Sequence, residues 1–220
     1  MTGRGRGGTA LSALAGAALL VVASPLIVAA AVASAVTYRA WPFFVHERVG
    51  RGGRAIKIAK IRTLPATTNA YTDKYSLRSI RVPSHMRLMR RLHLDELPQL
   101  WHVVTGDLAF VGPRPEMRVL HEQLPPEFAA IRTSVEPGLT GLWQISPHNS
   151  GLIGERPEYD VLYISHRSAR LDRWIIGQTV RKMTFGTTTH LYEVPVRTFE
   201  NVCRAVDTPL APADPIQALG

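Results

Sequence analysis

The sequence is poor in the residues that build disulfide scaffolds and zinc sites. Cys203 is its only cysteine, so an intrachain disulfide is impossible and a cysteine-rich zinc site has no ligands. The histidines, scattered from His46 to His190, show no HxH or HExxH spacing. Glycines at 50, 52 and 53 match neither GxGxxG nor a P-loop, and therefore predict a turn rather than a phosphate cradle.

Acidic residues are also scarce relative to basic ones. The 220-residue chain has 26 Lys+Arg against 17 Asp+Glu, a net charge of +9. Such an excess favours polyanionic partners: nucleic acid, anionic lipid or phosphate-bearing substrates. We expect no nucleic-acid partner, because the sequence has neither a recognisable binding motif nor interleaved basic and aromatic residues. The length is typical of one domain with short appended segments.

Charged residues are missing altogether from Ala10 to Val36, which predicts a membrane segment. As an unbroken helix it would reach about 40 Å, more than the roughly 30 Å hydrocarbon layer requires. Pro25 near its centre removes an amide donor and crowds the carbonyl of Val21, while Ser24 can satisfy a freed carbonyl, so we expect a bend. These residues leave three interpretations open: a secretory signal peptide, a simple transmembrane helix and a re-entrant hairpin.

Downstream of that segment the patterns predict a mainly helical α+β domain. Alternating residues on both sides of Gly50–Gly53 predict a β-hairpin. Helical spacing runs from Ser84 to Thr105, and Pro98 within it predicts a new helix starting at Asp95–Leu97 and ending near Gly106. Further helices are expected over residues 115–134 and 156–184, and the Ala- and Pro-rich residues 207–220 are expected to be disordered.

Two helical segments mix arginine with apolar residues, as helices on a membrane surface do. A helix with one core face and one solvated basic face has the same pattern. The first segment contains Arg87, Arg90 and Arg91 with Leu88, Met89 and Leu92, and the second contains Arg167, Arg170 and Arg173 with Leu171, Trp174 and Ile175.

Asp95 and Glu96 are adjacent carboxylates between the apolar residues Leu94 and Leu97. Charged residues in such a segment usually form ion pairs or have a functional role. At the start of a helix, free amides would keep Asp95 ionised and offer a place for a substrate phosphate. An ionised aspartate can attack phosphorus, and a neighbouring carboxylate can hold Mg²⁺. Asp95 could instead simply cap the helix. Arg90 precedes the pair, and Pro113–Arg114–Pro115 fixes a guanidinium that can bind phosphate through paired hydrogen bonds.

Taken together, these residues resemble the small bacterial sugar transferases, or monotopic phosphoglycosyl transferases. The resemblance covers roughly residues 10 to 185, and Ser24–Pro25 matches the family's re-entrant helix breaker, which favours the hairpin. The matching blocks are RRLHLDELPQLWHVVTGDLAFVGPRPE (90–116), ERVGRGGRAIKIAKIRTL (47–64), VEPGLTGLWQIS (135–146) and YDVLYISHRSARLDRWIIGQTV (159–180).

The resemblance implies transfer of a sugar 1-phosphate from a UDP-sugar to polyprenyl (undecaprenyl) phosphate through an aspartyl-phosphosugar intermediate. Asp95 would be the nucleophile, Asp95 and Glu96 would hold Mg²⁺ or Mn²⁺, and Arg90 would support the pair. The residues that the resemblance assigns to substrate binding are Lys60, Arg62, Pro113, Arg114, Pro115, Gln144 and His148. The runner-up function is a membrane-anchored basic interaction protein or an inactive relative.

The same resemblance implies a place in the cell and a division of the chain. Residues 1–40 would form the re-entrant anchor, 41–200 a catalytic domain facing the cytoplasm from the bacterial cytoplasmic membrane, and 201–220 a disordered tail. Several amphipathic helices would lie at the membrane surface, in contact with lipid. The transferred sugar, the glycan pathway and the oligomeric state, including a homo-oligomer, are left open.

One departure from the family pattern is visible after the GLWQ block. The family usually has Gly-Arg-Asn or Gly-Arg-Ser there, whereas this chain has Ser146-Pro147-His148-Asn149. A phosphate-binding arginine is therefore missing, and His148 could replace it only when protonated. Arg132 and Arg156 are the alternative sources of positive charge.

Overall fold

The computed structural model describes residues 6–68 and 80–196, so the predicted tail at 201–220 lies outside the described residues. The described residues form a mainly helical fold with a β-hairpin, as predicted, and a second small sheet. Its helices are α1 (Arg6–Tyr38), α2 (Ser84–Arg91), α3 (Leu100–Thr105), α4 (Arg118–His121), α5 (Pro126–Thr133), α6 (Leu142–Ile145), α7 (Glu158–His166) and α8 (Ala169–Phe185). Its strands are β1 (Phe43–Val49), β2 (Ala55–Ile61), β3 (Ala109–Val111) and β4 (Gly138–Thr140).

Helix α1 is the predicted apolar segment, long and apolar enough over Ala10–Tyr38 to cross a membrane. It continues through Pro25, and the Ser24 hydroxyl donates a 2.7 Å hydrogen bond to the carbonyl of Val21. This bond is the compensation expected for the amide that Pro25 lacks.

The rest of the protein packs along one side of α1. A Cβ on Gly16 would lie 3.2 Å from the Val103 side chain, so α3 approaches the helix backbone closely there. Nearer the C-terminal end, the Ser34 hydroxyl donates a 2.7 Å hydrogen bond to the carbonyl of Arg62. Ala30 joins a core cluster with Ile61 and two methionines of α2. Both halves of α1 are therefore docked against the domain.

The predicted β-hairpin is confirmed: β1 and β2 pair in antiparallel fashion. A 3-10 helix over Arg51–Gly53 joins them, with φ of 66° at Gly52 and 76° at Gly53. Side chains with positive φ are strained, which explains why glycines make this turn. In the register, Phe44 lies opposite Lys60 and His46 opposite Ile58, so these four side chains share one face of the hairpin.

The predicted helix start at Asp95–Leu97 was wrong. After α2, His93 adopts a left-handed conformation with φ 54°, and a 3-10 helix covers Leu94–Gln99. Helix α3 starts only at Leu100 and ends, as predicted, at Gly106. Because Pro98 cannot donate an amide hydrogen bond, the acidic pair lies in a tight 3-10 turn ahead of the α-helix.

Other elements differ from the sequence patterns. The single helix expected over residues 115–134 is two short helices, α4 and α5, because Pro125 and Pro126 interrupt it. Strands β3 and β4, which pair in parallel with Ala109 opposite Gly138, were not predicted. At three residues each they are too short to leave a periodic pattern.

The apolar residues of the two arginine-rich helices do not all face outward. In α8, Leu171 and Ile175 are buried in the main core cluster and Trp174 packs against it, so this apolar face points into the protein. In α2, Met89 is buried, whereas Leu88 and Leu92 are exposed. An exposed apolar side is therefore present on α2, whereas on α8 the alternative of a core-facing apolar side is the one observed.

Candidate active site

The acidic pair lies where the 3-10 helix Leu94–Gln99 packs between α1 and strand β2. Asp95 is buried, with 6% of its surface exposed. Charges from three parts of the chain reach the pair: Arg90 at the end of α2, Lys60 on the hairpin and Arg114 in the loop after β3. The structure thus brings together five of the predicted site residues.

The two carboxyl groups have opposite pKa shifts. Burial and the adjacent charge of Glu96 raise the pKa of Asp95 to about 6, against the lowering effect of Lys60, Arg90 and His93. Burial and Glu96 therefore outweigh the stabilisation of ionised Asp95 that was expected from the amides at a helix start. Burial would also raise the pKa of Glu96, but the hydrogen bond from His93 and the charges of Arg114, His93 and Lys60 lower it to about 2.

His93 is a member of the site that the sequence analysis missed. Its left-handed backbone turns the chain from α2 into the 3-10 helix, and its Nδ1 lies 3.7 Å from the Glu96 carboxylate. The nearby Glu96 carboxylate raises the pKa of His93 against the effect of burial. His93 therefore turns the backbone into the 3-10 helix and also favours the ionised form of Glu96.

The hairpin supplies two further residues that were missed, His46 and Arg48. Arg48 lies 3.4 Å from Glu116, and burial together with the charge of Arg114 lowers its pKa to about 10. Burial and the charges of Arg48, Lys60 and Arg114 lower the pKa of His46 to about 3, so its imidazole is neutral. Its Nδ1 is buried with no hydrogen-bond partner in the described part of the chain.

The alternation of side chains along a strand could have identified these residues. Phe44 lies opposite Lys60, a predicted substrate-binding residue, and side chains two apart on a strand share a face. His46 and Arg48 are therefore on the same face as Lys60. Lys60 and Arg62 both lie over the Phe44 ring, at 5.9 Å and 5.8 Å from its centroid. The Arg62 Nε also donates a 3.0 Å hydrogen bond to the carbonyl of Trp41, just before the start of β1.

The loop Pro113–Arg114–Pro115 is held by backbone contacts between β3 and β4. The Gly112 amide donates to the carbonyl of Thr140, and the Gly138 amide donates to the carbonyl of Pro113. A Cβ on Gly112 would lie 2.6 Å from the carbonyl oxygen of Glu136, so only glycine fits. These contacts fix the backbone of the loop that carries Arg114.

The predicted residues Gln144 and His148 lie in a neighbouring region. The Gln144 carboxamide is buried beside Gly141, with no hydrogen-bond partner for its Nε2 or Oε1 among the described residues. His148 packs against Tyr159, with ring centroids 6.0 Å apart. Arg132 and Arg156 are both engaged in ion pairs, with Asp160 at 2.7 Å and Glu158 at 3.6 Å.

The donor set suits a hard divalent cation bound jointly with phosphate. No cluster of three or more His, Cys, Asp or Glu residues able to hold a metal occurs in residues 6–68 and 80–196. Asp95 and Glu96 alone provide two carboxylates, and Mg²⁺ is often bound by one or two carboxylates together with substrate phosphates and water. The low pKa of Glu96 keeps one ligand ionised.

Comparison with known proteins identifies the family of the chain. The sequence profile of the bacterial sugar transferase family matches residues 8–186. The chain is 39% identical over 145 residues to an uncharacterized sugar transferase, EpsL, of Bacillus subtilis, covering 64% of this chain and 69% of that protein. It is 34% identical over 179 residues to a UDP-glucose:undecaprenyl-phosphate glucose-1-phosphate transferase of Caulobacter vibrioides, covering 77% and 67%.

A third relative is longer. The chain is 32% identical over 170 residues to a UDP-N-acetylgalactosamine-undecaprenyl-phosphate N-acetylgalactosaminephosphotransferase of Aeromonas hydrophila. The match covers 74% of this chain but only 40% of that protein. The similarity to that relative is thus confined to less than half of its length.

Proposed function

The chain belongs to the bacterial sugar transferase family, and on that premise we propose that it transfers a sugar 1-phosphate from a UDP-sugar to undecaprenyl phosphate. The observation that carries this proposal is the pair of buried Asp95 and partly exposed Glu96, with the positive charges of Arg48, Lys60 and Arg114 acting on it. Relatives named for this reaction, with different sugars, support the reaction class.

The proposed reaction has two steps. An Asp95 carboxylate oxygen attacks the phosphorus that carries the sugar, and the bond to the UMP oxygen breaks. The undecaprenyl phosphate oxygen then attacks the same phosphorus, the bond to Asp95 breaks, and the product is a sugar joined to the lipid through a diphosphate. Each step exchanges one P–O bond for another, so no oxidant or further reactant is needed.

Charge balance supports a diphosphate substrate at this site. Arg48, Lys60 and Arg114 carry three positive charges toward a site whose carboxylates are Asp95, Glu96 and Glu116. A bound Mg²⁺ or Mn²⁺, held by Asp95 and Glu96, would neutralise phosphate charge during transfer. With that cation present, the site carries an excess of positive charge, which favours the negatively charged diphosphate of a nucleotide sugar.

The residues facing the acidic pair have separate proposed tasks. Arg114, between its two prolines, binds the nucleotide phosphates, and Lys60 with Arg62 binds the donor on the Phe44 side. Arg90 supports the ionised form of Asp95. Gln144 and His148 stay predicted substrate contacts, outside the group of charges that surrounds Asp95.

A panel of UDP-sugars tests the activity. The detergent-purified full chain should release UMP from at least one UDP-sugar when undecaprenyl phosphate and Mg²⁺ are present, and chelation of the cation should stop the release. The preferred donor identifies the sugar. If no donor in the panel yields UMP, the catalytic proposal fails and the chain is a membrane-anchored interaction protein.

The membrane topology is part of the proposal: α1 re-enters the cytoplasmic face rather than crossing the bilayer. Gly16 and Ser34 both contact the domain, whereas Val21, Val22 and Leu26 between them are exposed. A straight crossing would place one of the two docked ends, roughly 27 Å apart along a helix, at the far side of the bilayer. Arginines flank the segment on both sides, which favours retention of both ends in the cytoplasm.

Replacement of Ser24 and Pro25 tests this topology. In a Cys203→Ser background, a Thr2→Cys variant should be protected from a membrane-impermeant thiol reagent in intact cells. Adding Ser24→Ala and Pro25→Leu restores the amide donor that Pro25 lacks, which favours a straight crossing and should expose part of the population to labelling. A Gln123→Cys variant, on the exposed surface of the domain, should stay protected in both backgrounds.

Other results would contradict the hairpin. Strong labelling of Thr2→Cys with Ser24 and Pro25 intact would mean a true span. A mature protein without residues 1–33 would mean a signal peptide.

A further inference from the structure

An ion pair between Arg132 and Asp160 is buried behind the active-site loop. The Arg132 Nε donates a 2.7 Å hydrogen bond to Asp160 Oδ2, and the two side chains are only 4% and 2% exposed. A second guanidinium nitrogen of Arg132, Nη2, donates a 2.7 Å hydrogen bond to the backbone carbonyl of Arg114. The guanidinium also lies 5.8 Å from the Phe128 ring centroid.

A buried pair of this kind is a poor source of stability. The loss of hydration of both charges offsets most of their attraction, and apolar residues of similar volume often replace such a pair without loss. Apolar residues cannot replace the hydrogen bond from Arg132 to the backbone carbonyl of Arg114. Asp160 in α7 and Phe128 in α5 hold the guanidinium of Arg132 in the orientation that makes this bond.

Neighbouring carbonyls of the same loop are also engaged by the domain. The Tyr163 hydroxyl lies 2.8 Å from the carbonyl of Val111 and 2.9 Å from Asp172 Oδ1. The carbonyl of Pro113 accepts a 2.8 Å hydrogen bond from the Gly138 amide. The backbone on both sides of Gly112 is therefore held by hydrogen bonds from the domain, and the charge of Arg114 acts on Glu96 and Arg48.

We infer that Arg132 and Asp160 are positioning residues for Arg114: they hold its backbone so that its guanidinium meets the phosphates of the nucleotide donor. The inference rests on the proposed function. It also means that Arg132 is not a phosphate ligand in place of the arginine missing near His148, because its side chain is buried and its Nε and Nη2 donate to Asp160 and Arg114.

A paired replacement separates positioning from stability. Arg132→Met combined with Asp160→Leu removes both buried charges at once, so the protein should melt close to the wild-type temperature. The bond to Arg114 is lost, and a displacement of about 1 Å at the loop should lower kcat/KM for UMP release by about 100-fold. UDP affinity, measured by calorimetry as a second readout, should fall as well.

A double-mutant cycle distinguishes positioning from a general structural defect. If the pair acts through Arg114, adding the paired replacement to Arg114→Met should cost no more than about twofold further, because coupled residues are not additive. The matched control is Glu47→Gln with Arg118→Gln, which removes an exposed ion pair of 3.3 Å and should leave both readouts within about twofold of wild type.

Several outcomes would overturn the inference. Wild-type kinetics in the paired variant would do so. The same would follow if the paired replacement lowered UMP release by the same factor in the wild type and in the Arg114→Met variant. If the paired variant does not fold, Arg132→Lys replaces it in the same cycle, since one ammonium cannot reach both partners in the geometry of the fork. A wild-type chain that binds UDP but releases no UMP would contradict the proposed function alone, and the UDP affinities would still decide the inference.

Discussion

Asp95→Asn is expected to lower UMP release by about 10⁴-fold or more, because a carboxamide cannot attack phosphorus and removal of a nucleophile costs at least that much in comparable enzymes. The variant should nevertheless be as stable as the wild type. Burial and Glu96 raise the pKa of Asp95 to about 6, so the folded protein holds the ionised carboxylate less well than the unfolded chain does. A neutral amide removes that penalty.

Glu96→Gln is the informative comparison. The positive charges around Glu96 lower its pKa to about 2, so its ionised form stabilises the fold at pH 7. Glutamine should therefore lower the melting temperature and also nearly abolish turnover, since it weakens the cation site. Near-normal UMP release by Asp95→Asn would refute the nucleophile assignment.

The covalent step has its own signature. When the wild type is incubated with a UDP-sugar and cation but no acceptor, the peptide that contains Asp95 should gain the mass of one phosphosugar. Addition of undecaprenyl phosphate should remove it. An adduct on another residue, or none during active turnover, would exclude the aspartyl intermediate.

The pKa of Asp95 predicts how activity falls on the acid side of the pH profile. Protonated Asp95 cannot attack, so activity should be full at pH 7 and should fall as the pH drops through about 6. Positive charge from a bound cation would lower the pKa of Asp95, so higher Mg²⁺ should move the limb to lower pH. A limb that does not respond to Mg²⁺ would contradict shared ligation by Asp95.

Gly138→Ala is expected to destabilise the protein by about 3 kcal/mol, the upper part of the usual range for overpacking. A Cβ at this position would overlap the amide nitrogen of Gly112 and lie 2.6 Å from the carbonyl oxygen of Thr140. Backbone atoms of two paired strands cannot move apart as side chains can, and the Gly138 amide also holds Pro113. Loss of UMP release should therefore accompany the lowered melting temperature.

Gly177→Ala is the matched control for this substitution. Gly177 lies inside α8, and no atom lies within 4 Å of the position that its Cβ would occupy. Alanine there should stabilise the helix by about 1 kcal/mol. Equal melting temperatures for the two variants would show that the crossing of β3 and β4 is looser than its geometry implies.

Features that depend on neighbouring residues in the chain could be predicted from the sequence. The apolar run of α1, the bond of Ser24 to the carbonyl of Val21 and the hairpin with its glycine turn all follow from local periodicity and backbone chemistry. The choice of Asp95 and Glu96 as candidate site residues also follows from the sequence. Adjacent carboxylates within an apolar segment lose free energy on burial unless they have partners or a functional role.

The tertiary structure alone decided the surroundings of that pair. His46 and Arg48 reach the site through the hairpin's register, and Arg132 meets Asp160 across 28 positions of sequence. The sequence also pointed the wrong way for the pKa of Asp95, since helix amides favour its charge but burial disfavours it more. Local patterns determine which segments fold into which elements. Burial and long-range charge pairs depend on how those elements pack, and no local pattern in the sequence carries that information.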